Sequence, residues 1–230
     1  MAAVMAVARE HGLPVIEDAA CAIGSQIRYD GEWRKIGRPI GDVVCFSFHP
    51  RKVLTTGEGG MLTTQNPELD AFFRLSRQHG MSVPDTVRHA SASVIFEEYP
   101  IQGYNYRMTD VQAAIGSQQI RRLAEIVARR RELADRYRTL LLAVPGVAPP
   151  SEPVWAKSNW QSYAVRLDAS LVQRSVMTRM LEMGISTRRG VMCAHLEPAY
   201  SSAEPRHDLR RSGEARDHAI LLPLFPQLTD

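Results

Sequence analysis

Three polar residues stand where short apolar runs end. Asp18 closes Leu13-Pro14-Val15-Ile16-Glu17-Asp18, Ser47 lies at the end of Val43-Val44-Cys45-Phe46-Ser47-Phe48, and Lys52 follows in His49-Pro50-Arg51-Lys52. Apolar runs of this length read as strands, and in an α/β sheet ligands gather at the carboxyl ends of the strands. A carboxylate, a hydroxyl and a primary amine delivered to that edge supply an anion for a protonated ring nitrogen, a donor for a phosphate and a nucleophile for an aldehyde. Taken singly, each residue has an ordinary reading: a solvated lysine, an aspartate that caps a strand end, a serine bonded to nearby backbone. Their order and spacing give them meaning together.

The elements that must position them follow from the same pattern. Val4 to Glu10 reads as the end of a helix, followed by a Gly-Leu-Pro turn and a short buried strand ending on Glu17-Asp18. Tyr29 to Lys35 is hairpin-like, with Asp30-Gly31 as its turn. A third strand is expected at Gly60-Met61-Leu62-Thr63-Thr64, then a helix to about Gln78 with Asn66 as N-cap and Pro67 in the first turn. Residues 84–106 lack periodicity. A single long helix is expected from the N-cap Thr109 to about Ala143, stopped by Pro145-Gly146 and Pro149-Pro150. Beyond it come a strand Tyr163-Ala164-Val165-Arg166-Leu167, a helix from about Leu171 to Met183 closed by Gly184, and a short strand Ile185-Ser186-Thr187. Alternating strands and helices indicate an α/β fold.

Composition bounds the function classes. A chain of 230 residues with 44% hydrophobic and 23% charged content is expected to be a soluble, cytoplasmic globular protein, and no apolar run approaches the roughly 18 residues of a membrane span. Three dispersed cysteines, Cys21, Cys45 and Cys193, form no CxxC pair, so neither a disulfide framework nor a metal site is expected. The net charge of +3 is small. Much of the local basicity lies in Arg121-Arg122 and Arg129-Arg130-Arg131, inside a helical pattern whose buried stripe runs through Ile120, Leu123, Ile126, Val127, Arg130, Leu133, Ala134 and Tyr137, which leaves most of the charge on the other face. The arginines are read as a solvated helix face, with nucleic-acid binding as the disfavoured alternative.

Several stretches together resemble the DegT/StrS family of sugar aminotransferases, within the fold-type-I, aspartate-aminotransferase-like enzymes that use pyridoxal 5′-phosphate (PLP). They are Val15-Ile16-Glu17-Asp18-Ala19-Ala20, Gly41-Asp42 through Ser47-Phe48-His49-Pro50-Arg51-Lys52, Thr56-Gly57-Glu58-Gly59-Gly60, and Gly103-Tyr104-Asn105-Tyr106-Arg107-Met108-Thr109-Asp110 with Gln112-Ala113-Ala114. The similarity extends through Gly184 to Gly190 and through Leu222-Pro223-Leu224-Phe225-Pro226, nearly the whole chain. The glycines after Thr56 fit no phosphate loop, since no helix follows them directly, and are read as a tight turn beside Lys52.

The resemblance implies a role for each matching residue. Lys52 would hold PLP as a Schiff base and shuttle the proton of the reaction; Asp18 would face the pyridinium nitrogen, Ala20 the ring, and Ser47 the phosphate. Asn105 would reach the phosphate of a neighbouring subunit's cofactor, which implies a homodimer with shared sites. Arg188 and His195 are candidates to contact an anionic donor or sugar nucleotide. Cys21 stands where many relatives carry glutamine or histidine near the phenolic oxygen, and a thiol is a poor substitute there.

The resemblance also implies a partial large PLP-binding domain over residues 1–108 with a mixed, mostly parallel sheet, a connecting helix over 109–143 and a small α+β domain over 144–230. On this reading the chain starts inside a helix and lacks an N-terminal phosphate-binding stretch and a ring-stacking aromatic. Leu228-Thr229-Asp230 reads as the N-cap of a further helix. The expected activity is transfer of an amino group from glutamate or glutamine to a keto sugar, expected to be nucleotide-linked, with two alternatives: a keto-cyclitol substrate, and an inactive or dimerisation-only piece of such an enzyme. Lysine at position 52 favours transamination over the family's dehydratases, which carry histidine there.

Overall fold

The computed structural model describes residues 1–200 and 207–229. The chain divides into two compact units, Met1–Leu123 and Ala124–Asp230.

The first unit opens with α1 (Ala2–Glu10) and β1 (Ile16–Asp18), then the hairpin of β2 (Gln26–Tyr29) and β3 (Glu32–Lys35). Asp30 and Gly31 both take positive φ, 50° and 82°, the backbone that a two-residue hairpin turn requires and that Asp-Gly supplies at low steric cost. Next come β4 (Val43–Ser47) and β5 (Gly60–Thr64). β4 is central: β1 lies parallel to it, pairing Asp18 with Cys45, and β5 runs antiparallel, pairing Ser47 with Gly60. The sheet is therefore mixed, with one parallel and one antiparallel pairing among the described residues. Val43 and Val44 of β4 are buried, as a central β-branched strand should be.

β1 departs from the buried strand expected. Ile16 is 70% exposed, because β1 pairs with β4 on one edge and, among the described residues, no strand flanks the other. An apolar run reports hydrophobicity, not how many neighbours a strand has.

Helices α2 (Pro67–Ser76), α3 (Asp85–Ala90) and α4 (Asp110–Arg121) complete the unit. Asn66 caps α2 as expected, its side chain accepting from the N–H groups of Glu68 and Leu69. The short helix α3 lies inside the stretch without periodicity. α4 begins with a capping box, in which Thr109 Oγ1 accepts from Gln112 N while Gln112 Oε1 accepts from Thr109 N.

The single long helix expected after Thr109 is two helices. α4 stops at Arg122, whose φ of −92° and ψ of −4° leave the regular helical ladder, and α5 (Leu123–Leu141) starts afresh. The boundary between the two units falls at this break.

The second unit runs from α5 through β6 (Val147–Ala148), β7 (Ala156–Lys157), β8 (Tyr163–Leu167), α6 (Gln173–Glu182), β9 (Arg188–Arg189), α7 (Arg210–Asp217) and β10 (Ala219–Leu222). A four-stranded sheet has the order β6-β8-β10-β9. Tyr163, Val165 and Leu167 point inward on β8 while Ala164 and Arg166 face out, the period of two that the sequence carries. With Ala134 and Ile220 they form the core of this unit, and the Tyr163 ring lies against those of Tyr137 and Trp160 at 5.1 and 5.4 Å. The short strand after α6 is Arg188–Arg189 rather than Ile185–Thr187: Gly184 turns the chain with φ 81°, and pairing with β10 starts three residues beyond Ile185.

Arg130 is buried on the stripe where the pattern put it, but the reading of Arg129 and Arg131 as a solvated face is overturned. Arg129 donates to the carbonyls of Pro226 and Leu228, Arg130 to those of Trp160 and Gln161, and Arg131 to those of Ser158 and Lys157. Arg130 is 6% exposed. Burial holds its guanidinium below the usual arginine range. These are backbone staples, a use of the guanidinium fork that charge patterning along a helix cannot distinguish from solvation. Among the described residues no helix is long and apolar enough to cross a membrane.

Candidate functional site

The site is assembled at the carboxyl ends of β1 and β4. Glu17 and Asp18 divide the work at the end of β1. Glu17 Oε1 accepts from the N–H groups of Ile40 and Gly41 at 2.6 and 2.7 Å, fastening β1 to the chain entering β4. Asp42 completes the fastening: its Oδ2 accepts from Val15 N at 2.7 Å, and its own N–H donates to Val15 O. Asp18 is exposed, and its Oδ1 accepts from Ala20 N at 2.9 Å, which orients the carboxylate at the strand end. The sequence reading missed Glu17 and Asp42. Both sit in the motifs quoted above, but an acidic residue that holds backbone looks the same in sequence as one that meets a ligand.

Ala19 N donates to Cys45 O, so the chain leaving β1 keeps its register against β4 past Asp18. Cys45 faces Asp18 across this pair. Burial pushes the Cys45 thiol up, and the Asp18 carboxylate pushes it the same way. It is a protonated, structural thiol at neutral pH.

Lys52 is carried on a loop closed at Phe48. Phe48 N donates to Gly59 O at 2.8 Å, Phe48 O accepts from Thr56 N and Thr55 Oγ1, and Lys52 N donates to His49 O. Phe48, Leu54 and Thr56 are buried and anchor both ends of the loop. Thr56 Oγ1 donates to Glu58 O, and Gln112 Nε2 of α4 donates to the same carbonyl at 3.0 Å. The glycine-rich stretch is thus the turn expected beside Lys52. At Gly60 a Cβ would lie 2.8 Å from Phe46 O, so the close approach of β5 to β4 there requires glycine.

The decisive contact is between Lys52 and the strand-end segment after Asp18. Lys52 Nζ donates to Cys21 Sγ at 2.9 Å, so the amine reaches the loop that carries Asp18 and Ala20. Ser47 ends β4 directly before the Lys52 loop, and its Oγ accepts from His49 N at 3.4 Å. Asp18, Ser47 and Lys52 thus belong to one sheet edge, and Ala20 and Cys21 lie on the segment that follows Asp18 there.

The remaining candidates belong to other elements. Asn105 pairs with Gln78 in an isolated bridge, while Tyr104 and Tyr106 bond to the backbone at the end of α2. Asn105 is exposed, and the rings of Tyr104 and Tyr106 beside it stack at 5.0 Å and 6°. Arg188 is exposed on β9, and His195 lies in a short 3-10 turn, Ala194–Leu196, both in the second unit. Asp230, expected to cap a further helix, lies outside the described residues.

An amine, a carboxylate and a hydroxyl at one sheet edge constitute a donor set for an aldehyde-bearing, phosphorylated heteroaromatic. The model of the DegT/DnrJ/EryC1/StrS aminotransferase family matches residues 1–230. The chain belongs to this family. Its enzymes depend on PLP, and the residues assembled here fit that cofactor by the chemistry of the set. Among relatives, the spore coat polysaccharide biosynthesis protein SpsC of Bacillus subtilis (strain 168) is 36% identical over 236 residues, which take in 100% of this chain and 59% of SpsC. The aminotransferase TlmJ from Streptoalloteichus hindustanus is 36% identical with a TM-score of 0.83, covering 99% of this chain and 57% of TlmJ. DesV of S. venezuelae, solved with a ketimine intermediate, is 29% identical with a TM-score of 0.85 over 100% of this chain and 57% of DesV. The α/β fold is thus that of the family's PLP-dependent sugar aminotransferases. The chain spans 59% of the length of SpsC and a similar share of the two solved structures.

Proposed function

We propose that the whole protein moves an amino group from glutamate or glutamine to a keto sugar, carried on a nucleotide, with Lys52 as the catalytic lysine. The observation that carries this reading is the reach of Lys52 Nζ to the segment following Asp18. PLP, when bound, supplies an electron sink for negative charge developing at the substrate's α-carbon. Asp18 holds the proton on the ring nitrogen, and its bond from Ala20 N keeps the carboxylate turned to the strand end for that purpose. With PLP bound, Ala20 would offer a small side chain to the ring, Cys21 would lie near the phenolic oxygen, and Ser47 would donate to the phosphate. Lys52 attaches the cofactor and moves a proton to and from the α-carbon.

The protein is proposed to work in the cytoplasm as a homodimer in which Asn105 reaches the phosphate in the other subunit's site. The exposure of Asn105 and of the neighbouring Tyr106, 74% exposed, supports a partner at this surface. Arg188 and His195 are proposed to meet the anionic donor or the sugar nucleotide.

Reduction with borohydride after incubation with PLP tests the reading. The expected result is a pyridoxyl label on the peptide containing Lys52, and loss of that label when glutamate or glutamine is added before the borohydride and converts the cofactor to its amine form. A label confined to any other lysine would overturn the assignment. A chain that takes up no PLP, and so shows no absorbance change, would instead favour a non-catalytic or dimerisation role for this span. Activity on a keto-cyclitol and none on nucleotide sugars would move the substrate class.

A further inference from the structure

We infer that the groove between α6 and the chain from Gly184 to Arg189 is a binding site for a nucleoside phosphate, distinct from the residues assigned above to transamination. It is an open-sided cavity of about 430 Å³ within the second unit. Small-molecule sites run from about 300 to 1,000 Å³ and combine an apolar lining with a few convergent polar groups. Met177 and Leu181, one turn apart on α6, supply the apolar floor, and Leu181 is 64% exposed. A bare aliphatic surface of this kind suits the flat face of a base.

The polar groups select phosphate. Arg174 of α6 and Arg189 of β9 line the groove from its two sides, and no acidic residue lines it. Thr178, Ser186 and Thr187 add three hydroxyls, and neither these nor Arg174 has a hydrogen-bond partner among the described residues. Two guanidinium forks and three hydroxyls exceed what a single carboxylate can accept; phosphate oxygens together with ribose hydroxyls use them all. Arg189 is paired only loosely, with Glu197 at 3.8 Å and side chains 53% and 37% exposed. A pair that long and that well solvated yields to a bidentate phosphate contact.

Both walls hang from one carbonyl. Gln173 Nε2, in the first turn of α6, and Gly190 N, directly after β9, each donate to Ala219 O at 2.7 Å. Gln173 also donates to Arg216 O, and a Cβ at Gly190 would lie 2.9 Å from that same oxygen. At the other end Gly184 N donates to Leu181 O and Ile185 N to Met180 O, which fixes the return of the chain from the helix. The groove is formed before a ligand arrives, so little ordering opposes binding.

Strand alternation separates this site from the substrate residues proposed above. Arg189 pairs with Ile220, a core residue on the sheet face against which α6 packs, whereas Arg188 pairs with Leu221 and lies on the opposite face. One short strand thus gives an arginine to each face. The groove goes beyond the proposed function and does not depend on it.

Photo-cross-linking of the full chain with azido derivatives of uridine and adenosine diphosphates tests the inference. The expected product carries the nucleotide on α6 or on residues 184–189. Unlabelled diphosphate should suppress it at concentrations at least about tenfold below those needed with the nucleoside or inorganic phosphate alone, and Arg174→Ala and Arg189→Ala should each cut it about tenfold, the loss of one charge-assisted contact. Both arginines are exposed, so the variants should melt at the temperature of the parent chain. Arg188→Ala should keep the groove label. Labelling confined to other segments, groove labelling that survives both arginine variants, or equal competition by the nucleoside would overturn the inference. A groove label together with a pyridoxyl label away from Lys52 would overturn the proposed function and leave this site standing; a nucleotide label that needs Arg188 and neither Arg174 nor Arg189 would do the reverse.

Discussion

Glu17 and Gly41 are joined by a hydrogen bond of 2.7 Å from the Gly41 N–H to Glu17 Oε1, and the same oxygen takes the Ile40 N–H at 2.6 Å. One carboxylate oxygen thereby holds two backbone donors that lie more than twenty residues away in sequence, and it does so one residue before Asp18. The strand end that presents Asp18 is fixed by its neighbour.

Replacing Glu17 with alanine leaves both N–H groups without this acceptor. Bonds to charged groups contribute about 1.5–3 kcal/mol each, and the exposure of β1 lets water recover part of that. Glu17→Ala is therefore expected to lower stability by about 2 kcal/mol, and Glu17→Gln, which keeps an acceptor oxygen, by less than half as much. Urea denaturation followed by circular dichroism decides it; equal losses for the two variants would show that the bonds are not the cause.

At Gly60 the cost is steric. A Cβ there would lie 2.8 Å from Phe46 O, and a backbone carbonyl in a paired strand cannot swing aside. Gly60→Ala is expected to cost about 1–3 kcal/mol, the usual range for forced overpacking. Because Gly59 O accepts from Phe48 N, the shift should also loosen the Lys52 loop. Hydrogen exchange at Phe48 and Thr56 should accelerate in this variant.

The sequence made the site legible because its chemistry is concentrated at strand ends. Asp18, Ser47 and Lys52 each follow an apolar run, and local spacing alone brings Asp18 and Ser47 to one edge once β1 and β4 are parallel. The hairpin at Asp30-Gly31, the cap at Asn66 and the alternation of β8 were legible for the same reason, each being set by a few adjacent residues. What sequence could not supply was partner identity. Whether Ile16 is covered depends on which strands flank β1, whether Glu17 binds backbone or ligand depends on where Gly41 returns, and whether three arginines meet water or carbonyls depends on segments about thirty to a hundred residues away. The break at Arg122 is likewise silent in sequence, since arginine is a good helix former.

Those arginines give a third prediction. Arg130 is buried and spans the carbonyls of Trp160 and Gln161. Removing it opens a void and leaves two carbonyls without these donors, an expected loss of about 3 kcal/mol for Arg130→Ala. Arg130→Lys should recover only part, because an ammonium lacks the planar fork that meets two acceptors at once. Arg121→Ala, at a surface position, serves as the control and should change thermal stability by no more than about 0.5 kcal/mol. A fully rescued lysine variant would argue against the fork.

The cysteines separate by reactivity. The raised Cys45 thiol is less ionised at any given pH than an ordinary one, first because it is buried and second because Asp18 repels the thiolate. At neutral pH iodoacetamide should label Cys21 well before Cys45, and Cys45 labelling should grow only as pH rises above the ordinary thiol range. Asp18→Asn removes the repulsion, so the Cys45 onset should move to lower pH, towards the limit that burial alone sets. Mass spectrometry of partly labelled chains measures both. Unchanged Cys45 kinetics in Asp18→Asn would mean that the carboxylate does not act on the thiol across the β1–β4 pair.

Asp18→Asn also probes the proposed function directly, and it must be read beside a variant that spares the charge. If the carboxylate holds the proton on the ring nitrogen, asparagine keeps the shape and the acceptor for Ala20 N but loses the anion. A charge-assisted bond of about 3 kcal/mol corresponds to roughly 100-fold in rate, so transamination should fall by about that factor while the Lys52 label still forms. Asp18→Glu keeps the charge at a longer reach and should retain more activity than asparagine despite disturbing the turn to Ala20. The pairing matters because a merely structural role predicts the reverse order, with the isosteric asparagine tolerated and the longer glutamate not. Rates and borohydride labelling measured together on the whole protein distinguish the two.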